Sequence, residues 1–137
     1  MIEMELNKIV IDEKRHDQLI ALKEKGGSRI LPIVIGLNEA SAIKLKVSGF
    51  NPPRPLTHDL IYVIIKELEA TVEKVIIDRL EESTFYAKII LKTSAGAFKT
   101  IDARPSDSIA LAVRSHAPIL VEDEIIKQQE LFNQEKP

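Results

Sequence analysis

Apolar residues recur at a period of two in one block of this chain, at a helical period in the next, and at a period of two again. Few folds satisfy that order. Ile2, Met4 and Leu6 alternate with Glu3, Glu5 and Asn7, a strand with one wet face. The phase slips before Ile9 and Ile11, which places a bulge at Asn7 or Lys8. Leu19 to Leu22 and Arg29 to Ile35 read as strands joined at Lys25-Gly26-Gly27. Pro32 lacks a donor N–H, so the second of them is an edge strand or is bulged there. Ala40, Ile43 and Val47 then share one helix face, with Asn38 as its cap and Gly49 as its stop. Pro52, Pro53 and Pro55 forbid regular helix between Phe50 and Leu56. A second helix opens at Thr57, and Leu60, Ile61, Ile64, Ile65 and Leu68 mark its core side. Strands follow near 72–80, 85–92 and 97–103, the last two joined at Ser94-Ala95-Gly96. A third helix runs from Pro105 to Ser115 and is stopped by Pro118. A short strand covers 119–121, and a closing helix spans 122–133 with Ile125, Ile126, Leu131 and Phe132. Blocks of strand and helix without strict βαβ alternation define an α+β fold: a mixed, largely antiparallel twisted sheet with three to four helices. No linker divides residues 1–137, so one domain is expected, its core reaching about residue 125 and a C-terminal helix or tail occupying 122–137.

Composition narrows the function. Apolar residues make up 45% of the chain, ample for a core. The net charge of −2 gives no global basic field, which speaks against a protein that grips nucleic acid mainly by counterion release. An enzyme touching a few phosphates stays open, as does an oligomer that gathers its arginines in one groove. At 4%, aromatic residues are too few for a broad base-stacking platform. The absence of cysteine removes disulfides, zinc–thiolate sites and thiol catalysis. Residues 1–11 lack the basic and apolar regions of a signal peptide, and no apolar run approaches a membrane span. The expectation is a soluble cytoplasmic protein.

Two segments carry the chemistry: Pro53-Arg54-Pro55-Leu56-Thr57-His58-Asp59 and Asp102-Ala103-Arg104-Pro105-Ser106-Asp107. Each sets Arg-Pro before a helix, then a hydroxyl residue, then an Asp in the first turn. Thr57 and Ser106 can cap, and Asp59 and Asp107 suit the positive end of the helix dipole. Good capping accounts for those residues but not for Arg54 and Arg104, since a cation there opposes the dipole by about 0.3–1 kcal/mol. Either each arginine pairs with a neighbouring carboxylate, or it holds an anion together with the helix N–H groups.

The stretch Leu31-Pro32-Ile33-Val34-Ile35-Gly36 with Glu39-Ala40, the Pro53–Asp59 segment, Phe85-Tyr86-Ala87 and the run from Asp102 to Ala112 together resemble the bifunctional nuclease family, formerly a domain of unknown function. Order and spacing agree up to about Ile125. The resemblance implies an α+β fold, frequent homo-oligomerisation, and degradation of DNA and RNA as in plant members.

Phosphodiester hydrolysis needs a water nucleophile and charge stabilisation, commonly supplied by divalent metal. Candidate oxygen ligands for Mg²⁺ or Mn²⁺ are Glu39, Asp102 and Asp107, with Asp59 as a further carboxylate. His58, Asp59, Asp102 and Asp107 are the catalytic candidates, His58 as acid or base. Arg54, Arg104, Thr57 and Ser106 are the phosphate-binding candidates. The same residues also suit a non-catalytic module that binds phosphate or nucleic acid, or a regulatory oligomer held by buried Arg–Asp pairs. His16 and His116 have no motif around them, and Gly26-Gly27 lacks the flanks of a phosphate loop. Catalysis requires Arg54 or His58 to meet Asp102, Arg104 or Asp107 in one cleft.

Overall fold

The computed structural model describes the backbone of residues 1–135 and the side chains of residues 1–130. Along the chain the elements are β1 (Ile2–Val10), β2 (Asp17–Glu24), β3 (Ile30–Gly36), α1 (Leu37–Val47), α2 (Thr57–Glu67), β4 (Thr71–Glu81), β5 (Thr84–Lys92), β6 (Phe98–Ala103), α3 (Pro105–Ser115), β7 (Ile119–Val121) and α4 (Asp123–Glu135). The seven strands form one sheet in the order β3-β2-β1-β7-β4-β5-β6. Two antiparallel meanders, β1–β3 and β4–β6, are joined by β7. That strand of three residues pairs antiparallel with β1, through Met4↔Ile119 and Ile2↔Val121, and parallel with β4, through Val75↔Ile119 and Ile77↔Val121. The fold is therefore α+β, with a mixed and mainly antiparallel sheet.

Local expectations about the strands hold. The β1–β2 register shifts between Leu6 and Lys8, around Asn7. Pro32 faces Ala21 on β3, an edge strand, where a missing N–H leaves no ladder bond unmade.

Helix α3 is central. Eight of its eleven residues are buried, and its small side chains, Ala110 and Ala112 among them, let the sheet and neighbouring helices approach closely. It packs on β4 and β5, and α1 and α2 pack on it in turn. The core beneath includes Met4, Ile20, Leu22, Val75, Ile77, Ile109 and Leu111, all essentially inaccessible.

Three helix expectations need correction. Asn38 does not cap α1: the helix begins at Leu37, with its N-cap two residues earlier at Gly36, and Asn38 is exposed in the first turn. Val47 is also exposed, although Ala40 and Ile43 are buried. On α2 only His58 and Ile65 are buried, whereas Leu60, Ile61, Ile64 and Leu68 are exposed, Leu68 to 74%. Periodicity identifies an apolar face; whether another element covers it is a tertiary matter. Ile125 and Ile126 of α4 enter the core, while the side chains of Leu131 and Phe132 lie outside those described. Among the described residues no helix is long and apolar enough to cross a membrane.

Candidate active-site cleft

The chain leaves β6 at Ala103 and turns into α3, with Arg104 as the N-cap and Pro105 as the first helical residue. Proline suits that position, where its absent N–H would have no helical partner. Asp107 is then the third helical residue, turned back toward the helix start. From a separate segment, α2 places His58 in its own first turn, buried against α3. His58 Nε2 lies 2.9 Å from Asp107 Oδ1, across 49 residues of chain. Arg104 closes on the same carboxylate, donating from Nε to Oδ2 at 2.8 Å and from Nη2 to Oδ1 at 3.1 Å. Its Nη1 donates to Glu39 Oε1 at 3.0 Å. The cation that opposes the helix dipole is thereby held between two carboxylates.

Gly36 keeps this arrangement open. A Cβ on residue 36 would meet the Glu39 carboxylate, and the flexible end of that side chain would have to shift to make room. Burial pushes the Asp107 carboxyl upward, but the Arg104 and His58 hydrogen bonds outweigh it and hold the group below its ordinary value. The hydrogen bonds from Arg104 to Asp107 and then to Glu39 raise the arginine further above its already high value.

Neither hydroxyl caps its helix. Leu56 and Arg104 are the N-caps, neither caps its helix through its own side chain, and Thr57 and Ser106 fall inside the helices. Asp59 does part of that work at α2 by accepting the Leu56 N–H at 3.0 Å. Its other oxygen, Oδ1, accepts from Arg114 Nε at 2.6 Å. Arg114 is 5% exposed, and it also donates to the carbonyl of Ala110 at 2.8 Å and to that of Ala42 at 3.4 Å. One guanidinium thus ties α1, α2 and α3. Seven residues along a helix span about 10 Å. The adjacent His58 and Asp59 therefore grip α3 at two well-separated points, Asp107 and Arg114. Burial raises the Asp59 carboxyl, but the Leu56 N–H and Arg114 lower it more.

Six of the candidates line one cleft of about 990 Å³: Glu39, Thr57, His58, Asp102, Arg104 and Asp107. The cleft's walls include Leu45, Ile61, Ile64 and Ile101. Ser106 is buried and lines a neighbouring cavity instead. Asp59 is turned toward Arg114 and a shallow pocket beside Lys46 and Phe50, and Arg54 is exposed outside these cavities. Hard carboxylate oxygens suit Mg²⁺ or Mn²⁺ in kind. Their arrangement does not suit a chelate: Arg104 holds both Glu39 and Asp107, and among the described residues no three His, Asp or Glu side chains form a group that could hold a metal ion.

The motifs that meet in this cleft are those of a known family. The family model for the bifunctional nuclease domain matches residues 19–134, and the chain belongs to that family. An uncharacterized protein of Mycobacterium tuberculosis is 41% identical over 132 residues, covering 96% of this chain and 78% of that protein. Bifunctional nuclease 1 of Oryza sativa subsp. japonica is 24% identical over 112 residues, covering 80% of this chain and 34% of the plant protein. Bifunctional nuclease 1 of Arabidopsis thaliana is 23% identical over the same shares.

Sequence reasoning did not find Arg114 as the partner of Asp59, nor Gly36 as the residue that admits Glu39. A signal for Arg114 existed: it interrupts the small and apolar run Ile109 to Val113, where a buried cation needs a counter-charge. Replacing Asp59 by alanine leaves that guanidinium without its carboxylate. Asp59→Ala should cost about 3 kcal/mol, the low end for a broken buried pair because Asp59 is partly exposed. In urea unfolding, the Asp59→Ala/Arg114→Met double variant should lose less than the two single losses added.

A pH dependence follows from the same pairs. Asp59 and Asp107 both titrate below their ordinary value when folded. The unfolded chain therefore binds more protons in acid, and stability falls as pH falls. This contribution is complete above the unfolded carboxylate value of about 4 and is lost as pH drops through the folded values. Urea midpoints at pH 6 and pH 3 should differ less for Asp59→Asn than for the parent chain; equal differences would remove Asp59 from the account.

Proposed function

We propose that this chain hydrolyses phosphodiester bonds of DNA and RNA, with little sequence selectivity, at the cleft between α2 and the start of α3. The observation that carries the proposal is the 2.9 Å contact between His58 and Asp107 beside Arg104, since it joins the two Arg-Pro segments at one place. The names of the plant relatives support the same reaction class.

With Asp107 ionised, the neutral His58 ring carries its proton on Nε2 and keeps a lone pair on Nδ1. Asp107 orients the ring through the contact at Nε2. Nδ1 takes a proton from water as the water oxygen bonds to phosphorus. The P–O ester bond breaks, and the imidazolium returns a proton to the departing oxygen. A guanidinium has five N–H donors. Arg104 uses three of them on Asp107 and Glu39, and the remaining donors are available to a phosphoryl oxygen. Glu39, Asp102 and Asp107 outnumber Arg104 in charge, so an incoming phosphate meets an acidic cleft. Added Mg²⁺ or Mn²⁺ would act here by offsetting that charge as the phosphate approaches, and not as an ion chelated by the cleft's carboxylates.

Single- and double-stranded DNA and RNA, offered to the purified chain with Mg²⁺, Mn²⁺ or a chelator, test the reading. Cleavage should fall about 100-fold or more in folded His58→Ala and Asp107→Ala variants. No cleavage, with phosphate-dependent stabilisation instead, would favour a binding module. Equal cleavage by all three proteins would point to a contaminant and overturn the assignment. Cutting that survives the chelator would remove the metal.

The proposal includes a homo-oligomer, supported by the bare apolar stripe of α2. Leu60, Ile61, Val63, Ile64 and Leu68 are all exposed on an eleven-residue helix and its cap. Contiguous apolar surface of this kind marks an association site, and a second copy brings the same stripe to match it. Ile64→Glu should convert the oligomer to monomers in sedimentation equilibrium, and a parent chain already monomeric at micromolar concentration would exclude it.

A further inference from the structure

Beyond the cleft lies a second cavity of about 770 Å³, enclosed by β3, the β4–β5 turn, the start of α3 and α4. Arg104 and Glu39 line both spaces, so their ion pair is the wall between them. These two are also the only charged side chains among the described residues lining the second cavity. Among the described residues the rest of its lining combines apolar surface and the ring of Phe85 with uncharged polar groups: Ser83, Thr84, Ser106, Gln128 and Gln129. Ser106 is 5% exposed, and its remaining surface lies at this cavity. The volume lies within the range of about 300–1,000 Å³ typical of small-ligand sites.

We infer that this second cavity is a nucleobase pocket, taking the base of the nucleotide whose phosphate is held at Arg104. A base has apolar faces and a polar edge without formal charge, which is the chemistry of this lining. Phe85 offers a surface for the ring, and base–aromatic contact tolerates any base. A glutamine amide presents both a donor and an acceptor to the edge of a base. Among the described residues the lining holds one carboxylate, Glu39, too few for a metal cage. Pro32, on the β3 edge beside the cavity, removes a donor that an added peptide strand would need. A base seated here has left the stack, so the pocket favours single-stranded segments and ends over duplex. The phosphate position at Arg104 rests on the reading proposed above; the lining of the cavity does not.

The test is binding of adenosine 5′-monophosphate, ribose 5-phosphate and inorganic phosphate to the full chain by calorimetry, beside cleavage of a single strand with and without an abasic site. The nucleotide should bind about tenfold or more tightly than ribose 5-phosphate, the gain expected of one stacked base. Phe85→Leu should reduce that preference. Gln128→Ala, on an exposed part of α4 where folding is not at stake, should reduce it too. Both variants should leave ribose 5-phosphate binding unchanged. Equal binding of nucleotide and sugar phosphate by the parent chain would overturn the pocket, as would a preference that both variants retain. A nucleotide preference without cleavage of any polymer would uphold the pocket and end the nuclease reading. Cleavage as fast at an abasic site, with equal binding of the two phosphates, would end the pocket and leave the nuclease reading standing.

Discussion

The buried guanidinium of Arg114 is the interaction on which the arrangement of the helices depends. Taking a cation out of water costs several kcal/mol unless its donors are satisfied. Here the partners come from three helices: Asp59 on α2, the Ala110 carbonyl on α3 and the Ala42 carbonyl on α1. The demand of one side chain for partners therefore sets where α2 begins relative to α3. His58 precedes Asp59 by one residue, so its position against Asp107 follows from the same constraint. The Arg–Asp pair at this point is structural in its contacts, although it sits in the motif that also supplies the histidine.

At the other end of α3 the same chemistry is placed where solvent can reach it. Arg104 is 63% exposed on its side chain, and it spans Glu39 and Asp107. A salt bridge so open to water adds little stability. Its value lies in position: it holds Asp107 ionised against His58 and stands between the two cavities. Gly36 contributes by omission, because a side chain there would press on the Glu39 carboxylate.

Much of the fold was legible in the chain because it rests on local rules. The slip of apolar phase after Leu6 marks a bulge, and Pro32 marks an edge strand, both for reasons internal to a few residues. Pro105 to Ser115 reads as a helix from its own start and stop signals. The caps were less legible. Thr57 and Ser106 have side chains that can cap, but the prolines and the preceding extended residues set the N-caps one and two positions earlier, at Leu56 and Arg104. The apolar stripe of α2 reads as core but is exposed, because periodicity records which face is apolar and carries no information about what lies opposite.

The sequence by itself determined the elements, their order, the α+β class and the family, along with the set of candidate side chains. Backbone sterics, apolar period and motif spacing act within short stretches, and those are written in the chain. Tertiary structure alone decided that β7 would join two meanders, that His58 would meet Asp107 while Asp59 turned to Arg114, and that Arg104 would stand between two cavities. These contacts link residues tens of positions apart. They are selected by burial and charge neutralisation across the packed chain, which no local stretch encodes.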